Sequence, residues 1–195
     1  KVSPARYAVE PDLSGACYLY ALSLLFSVRV LVHGVKKDSL QGDAAFLRLL
    51  ERRGVAFRET ERGLLADGTE VCGFDGFDED LQDFSDQALT VAALAPFART
   101  PSRLTGLEHI RAQECDRVNA IVENLNTLGV PAFYRDGMLS ISPAPVRGGT
   151  VKTFRDHRVA MAFSLVGLKT GNVAIDDPGC TRKTFEGYFE LLSRL

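Results

Sequence analysis

Apolar residues occur along the chain in two alternating kinds of stretch. In Ser14–Phe26, Gln87–Ala98 and His157–Leu168 nearly every face of a helix would be apolar, and such a helix belongs inside a protein. In Asp43–Arg53, Asp116–Leu128 and Thr184–Leu195 the pattern is one-sided. Val118, Ile121, Val122, Leu125 and Leu128, like Phe185, Tyr188, Phe189, Leu192 and Leu195, recur at i, i+3, i+4, i+7, which predicts outer helices with one face on a sheet. A short strand is expected after each apolar helix, at Arg29–His33, Ser102–Thr105 and Asn172–Ile175, followed by a polar loop at Lys36–Gln41, Glu108–Glu114 and Asp176–Arg182. The first two outer helices run into Gly54 and Gly129, suited to the left-handed residue past a helix end. Hairpins then follow: Ala56–Thr60 with Leu64–Ala66 through Glu61-Arg62-Gly63, and Ala132–Tyr134 with Leu139–Ser142 through Arg135-Asp136-Gly137.

The order is a repeat. Asp12, Asp86 and Asp156 each precede an apolar helix and recur about every 70 residues, giving units of roughly 1–75, 76–145 and 146–195 within a single domain, 1–195. Three enclosed helices, three outer helices and three sheets predict one α/β body with pseudo-threefold symmetry. The third unit is incomplete, because its second helix ends at Leu195 with no hairpin after it. Its sheet is therefore expected to have an open edge. The chain also starts at Lys1 almost directly on a strand, and both features are those of a piece of a larger protein.

Composition narrows the class. Twenty-three Lys and Arg face 25 Asp and Glu for a formal net charge of −2, so no bulk positive field argues for nucleic acid. The apolar run Leu19–Phe26 is far short of a membrane span, and Lys1-Val2-Ser3-Pro4-Ala5-Arg6 carries no targeting signal. Cys17, Cys72, Cys115 and Cys180 form no CxxC pair, and His33, His109 and His157 stand at no metal-ligand spacing. These are the reduced thiols of a cytoplasmic protein. Cys180, between Gly179 and Thr181, is the one thiol with a case for reactivity, though nothing nearby in sequence demonstrates a lowered pKa.

Chemistry concentrates at helix starts. Arg158 stands near the start of the third enclosed helix, Arg117 in the first turn of the second outer helix, and Lys183 just before the third. A cation there opposes the helix dipole by about 0.3–1 kcal/mol unless an anion is bound. Local pairing, of Arg117 with Glu114 or Asp116 and of Arg158 with Asp156 or Asp177, is the plainer explanation for each residue alone. Three cations at equivalent ends of a repeat favour an anion site instead. Glu114 precedes Arg117, and Asp86 heads a buried helix; either a plain N-cap or a general acid or base fits such a carboxylate.

Six blocks carry a resemblance: Val9-Glu10-Pro11-Asp12-Leu13-Ser14-Gly15-Ala16-Cys17-Tyr18, Ser39-Leu40-Gln41-Gly42-Asp43, Ser85-Asp86-Gln87-Ala88-Leu89-Thr90, Ile110-Arg111-Ala112-Gln113-Glu114-Cys115-Asp116-Arg117, Asp156-His157-Arg158 with the helix to Leu165, and Asp177-Pro178-Gly179-Cys180-Thr181-Arg182-Lys183-Thr184-Phe185. In this order, from Tyr7 to the last residue, they resemble the C-terminal half of the 3-phosphoshikimate 1-carboxyvinyltransferase (EPSP synthase) family. The resemblance implies an inside-out α/β barrel of βαβαββ units, with one domain completed by the extreme N-terminus of a two-domain enzyme. It implies transfer of the enolpyruvyl group of phosphoenolpyruvate to the 5-hydroxyl of shikimate 3-phosphate, with release of phosphate and no metal or organic cofactor. Matched by position, Asp86 is the base for the attacking hydroxyl and Glu114 the acid for the methylene carbon. The resemblance likewise implies that Arg117, Arg158 and Lys183 hold phosphoenolpyruvate, that His157 lines its site, and that His109 falls at a polar contact to shikimate 3-phosphate. Gln113 departs from the family's lysine and supplies a hydrogen bond without a charge.

The implied partners are the two substrates and the N-terminal domain of the same enzyme, without which the chain alone is expected to be inactive. Two other readings compete: a non-catalytic anion-binding or scaffolding module of the same fold, and a transferase acting on a UDP-sugar. The five intact charged positions weigh against the first, and the Asp-His-Arg and Cys-Thr-x-Lys-Thr-Phe segments against the second.

Overall fold

The computed structural model describes residues 9–194. Helices α1 (Leu13–Phe26), α2 (Ala44–Glu51), α3 (Ala88–Leu94), α4 (Arg117–Thr127), α5 (His157–Thr170) and α6 (Tyr188–Leu192) alternate with strands β1 (Arg29–His33), β2 (Ala56–Thr60), β3 (Gly63–Asp67), β4 (Asp78–Asp80), β5 (Ser102–Thr105), β6 (Ala132–Arg135), β7 (Met138–Ile141), β8 (Gly149–Val151) and β9 (Val173–Ile175). The strands form three sheets, ordered β1-β3-β2, β4-β5-β7-β6 and β8-β9. The enclosed helices α1, α3 and α5 pack on one another, with every residue of α3 buried. The outer helices turn one side inward, α4 through Val118, Ile121 and Leu125. Sheets thus lie outside helices, which is the inside-out α/β barrel arrangement. Among the described residues no helix is long and apolar enough to cross a membrane.

Local chemistry accounts for several element boundaries. Asp12 caps α1, accepting from the amides of Ser14 and Gly15, and Asp156 caps α5, accepting from the amide of Arg158. The turn between β6 and β7 places Asp136 at φ 51° and Gly137 at φ 78°, the left-handed pair that a two-residue hairpin needs.

Three expectations need correction. The second enclosed helix is α-helical only from Ala88 to Leu94, with 3₁₀ turns at Gln82–Gln87 and Ala95–Phe97; Pro96 has no N–H to continue the α ladder. Asp86 consequently lies inside the first 3₁₀ turn and caps nothing. The third outer helix is only Tyr188–Leu192, because Pro178–Lys183 coil as 3₁₀ and Gly187 is left-handed at φ 77°. Lys183 therefore ends a 3₁₀ turn rather than heading a helix. Strands β4 and β8, implied by the βαβαββ unit but assigned no residues in the sequence reading, run parallel to β5 and β9. The strand expected at the chain start and the pattern position Leu195 lie outside the described residues. Among those residues the third sheet has only β8 and β9, whereas β1 and β5 each pair with one strand of a hairpin.

Candidate active site

The starts of α4 and α5 meet the 3₁₀ turn before α3, and this convergence builds the site. Asp156, wholly buried, is the pivot. One oxygen caps α5 through the Arg158 amide at 2.9 Å, and the other accepts from Arg117 Nε at 2.8 Å. Burial pushes the Asp156 carboxyl up, but the Arg117 hydrogen bond and charge outweigh it, and its pKa lies below the ordinary carboxylate value. Arg117 is itself buried. Its Nη1 reaches Asp86 Oδ1 at 2.9 Å and also donates to the Gln113 side-chain carbonyl. The second oxygen of Asp86 takes Arg158 Nη2 at 3.0 Å. Asp86 thus bridges two guanidinium groups, and its side chain remains 37% exposed, within reach of a ligand.

The opposite rim is Glu114, which accepts from Lys183 Nζ at 2.5 Å and faces His157 Nδ1 at 3.2 Å. The Lys183 hydrogen bond, against a smaller effect of burial, holds Glu114 below the ordinary range. His157 is 5% exposed on its side chain, and its Nδ1 makes no hydrogen bond among the described residues. Burial pulls its pKa below 6.5, against the charges of Glu114 and Asp156. A depressed histidine pKa gives stability that is complete above pH 6.5 and lost as pH falls below it. Unfolding free energy should therefore decline between pH 7.5 and 5.5, and a His157→Gln variant should show a smaller decline in urea titrations at the two pH values.

Asp86, Gln113, Glu114, Arg117, His157, Arg158 and Thr184 line one open depression of about 550 Å³. The sequence therefore named six of its residues, and Lys183 joins through Glu114. His109 stands apart, bonded through Nε2 to Ser85 Oγ at 2.7 Å; Ser85 lines an adjoining depression of about 360 Å³ that shares Asp86 and Gln113. The local pairings considered for Arg117 and Arg158 are replaced by longer-range ones. Each of the three cations has a carboxylate partner, so an incoming anion must compete with Asp86, Asp156 or Glu114. Asp156 was legible as a cap and as a local partner for Arg158; its ion pair with Arg117 spans 39 residues and leaves no local signal.

Glu114, Asp156 and His157 place three potential ligand atoms within 4.8 Å of one another. Their carboxylates already hold Lys183 and Arg117, and a divalent cation would sit beside those charges, so the set reads as an ion-pair network rather than a metal cage. Nor is Cys180 activated. Burial and the nearby Asp177 push its thiol up to about 11, and burial and Asp156 push Cys115 up to about 12. Iodoacetamide at pH 7.5 should modify the exposed Cys72 well before either, as read by peptide mapping.

The architecture is that of the enolpyruvyl transferases. EPSP synthase from Acinetobacter baumannii superposes with a TM-score of 0.78 at 20% identity, covering 95% of this chain and 46% of that one. The enolpyruvyl transferase NikO from Streptomyces tendae gives 0.76 at 20% identity, over 96% of this chain and 43% of that one. Residues 1–192 match the family described as EPSP synthase (3-phosphoshikimate 1-carboxyvinyltransferase), and the chain belongs to that family. The 3-phosphoshikimate 1-carboxyvinyltransferase of Nostoc punctiforme is 42% identical over 187 residues, covering 94% of this chain and 43% of that protein. That of Idiomarina loihiensis is 38% identical over 194 residues, covering 99% and 45%. The chain thus spans less than half the length of these curated relatives.

Proposed function

We propose that this chain forms about half of an enzyme that transfers the enolpyruvyl group of phosphoenolpyruvate to the 5-hydroxyl of shikimate 3-phosphate. The carrying observation is that Asp86, Glu114, Arg117, Arg158 and Lys183 meet around one open depression. Phosphoenolpyruvate brings a carboxylate and a phosphate, and two arginines on one rim facing a lysine on the other suit that charge. In the addition step Asp86 takes the hydroxyl proton as oxygen bonds to the enol carbon, and Glu114 delivers a proton to the methylene carbon. In elimination a proton leaves the new methyl group as the C–O bond to phosphate breaks.

The ion pairs bear on both roles. The Lys183 hydrogen bond holds Glu114 below the ordinary carboxylate range, so drawing that lysine away raises its affinity for the proton it must carry. A substrate phosphate competing for Lys183 does this, and so ties proton donation to occupancy. Likewise an anion drawn to Arg117 and Arg158 loosens their hold on Asp86, freeing the base. Gln113, its carbonyl engaged by Arg117, adds polarity but no charge. The rest of the substrate pocket comes from an N-terminal domain, and the extreme N-terminus of the longer chain completes the sheet at β9. Four free thiols fit a reducing, cytoplasmic setting.

The isolated chain should release no phosphate from phosphoenolpyruvate with shikimate 3-phosphate present, and adding the N-terminal half should restore release. Turnover by the isolated chain would falsify the half-site reading.

A further inference from the structure

We infer that Asp43 is a positioning residue for this reaction, holding the Asp86-bearing turn in place through the side chain of Gln87; the inference rests on the enolpyruvyl-transfer reading above. Asp43 occupies the N-cap position of α2 yet makes no capping bond. Its Oδ2 instead accepts from Gln87 Nε2 at 3.0 Å and from Ser14 Oγ, residues 44 and 29 positions away. The carboxylate therefore joins the starts of α1 and α2 to the start of α3.

Gln87 is wholly buried and fixed at both ends of its amide, because its Oε1 also accepts from Thr90 Oγ1 at 2.9 Å. It directly follows Asp86, so anchoring Gln87 sets the neighbouring Cα about 3.8 Å away. That segment needs an anchor. Phe84 breaks the 3₁₀ turn at φ −144°, ψ 41°, and neither that turn nor α3 has a side-chain cap. Asp86 is thus held from two directions, by arginines at its carboxylate and by the Asp43–Gln87 link at its backbone.

The choice of a carboxylate at position 43 is informative. Asp43 is 7% exposed and forms no ion pair among the described residues, its two side-chain donors being neutral. Burial pushes its pKa up, with the Ser14 and Gln87 bonds opposing. An asparagine would occupy an N-cap without burying a charge. The charge strengthens the hold on two donors that a neutral acceptor would grip less firmly.

The test uses the full-length enzyme that contains this chain, with Asp43→Asn and Gln87→Met made alone and in an Asp86→Asn background. Each single variant is expected to lower kcat about ten-fold or more, since small misplacements of a catalytic group have large effects, while KM for phosphoenolpyruvate moves less than about three-fold. In the Asp86→Asn background either change should cost less than about two-fold, because the effect passes through Asp86. Should D43N fail to fold, Q87M decides, as it breaks the same link and leaves the buried carboxylate in place. A kcat within about two-fold of wild type, or an equal loss with and without Asp86, overturns the inference. A wild-type enzyme without enolpyruvyl transfer removes the reading beneath it, whereas an active one with indifferent variants removes this inference alone.

Discussion

Replacing Arg117 with methionine should lower the unfolding free energy by about 3–5 kcal/mol, because it strands a buried carboxylate. Asp156 has no exposed surface, and among the described residues Arg117 is its only cationic partner at hydrogen-bond distance, 2.8 Å away. With the guanidinium removed, Asp156 either stays charged without compensation or binds a proton. Its pKa, now depressed, would rise past the unfolded value. The native contribution is present above the ordinary carboxylate range and is lost as pH falls through the lowered folded value. The R117M variant should lose this acid-side dependence. Adding Asp156→Asn keeps a competent N-cap for α5 and removes the stranded charge. The double variant should therefore be more stable than R117M, with a coupling of about 1–3 kcal/mol. Urea and thermal unfolding measure both quantities, and an R117M protein within about 1 kcal/mol of wild type would contradict the account.

Asp86→Asn should have the largest effect on turnover. In the full-length enzyme kcat is expected to fall by about 10²–10⁴-fold, the range for loss of a positioned general base. The Michaelis constant should move in the less intuitive direction. Asp86 competes with incoming anions for Arg117 and Arg158, so an uncharged residue there should leave KM for phosphoenolpyruvate unchanged or lower. A raised KM with kcat retained would mean that Asp86 binds substrate and is not the base.

Much of the fold was legible because its signals were local. The all-apolar stretches became α1, α3 and α5; the hairpin chemistry of Asp136-Gly137 gave the β6–β7 turn; Asp12 and Asp156 cap the helices they precede. What escaped depends on neighbours. Strands β4 and β8 are three residues each, too short for an alternation, and exist through pairing with β5 and β9. The apolar spacing of the last outer segment correctly identified Tyr188 and Leu192 as buried. It misjudged helix length, since Gly187 and the 3₁₀ turn before it divide the segment. The site shows the same division. Residue identities at the helix starts were readable, and six of them line one depression. Partner choice was not: Asp86 bridges arginines 31 residues away and farther, and Asp43 reaches Gln87 across 44. No sequence pattern encodes such pairings, which arise only when three repeats close around their enclosed helices.

These helix starts are proposed to form one half of an enolpyruvyl transfer site. The most direct test of that proposal is phosphate release by the full-length enzyme with each substrate omitted in turn, alongside Asp86→Asn. The expected result is release that requires both phosphoenolpyruvate and shikimate 3-phosphate and falls at least about 100-fold in the variant. Release that persists without shikimate 3-phosphate, or that survives the loss of Asp86, would contradict it.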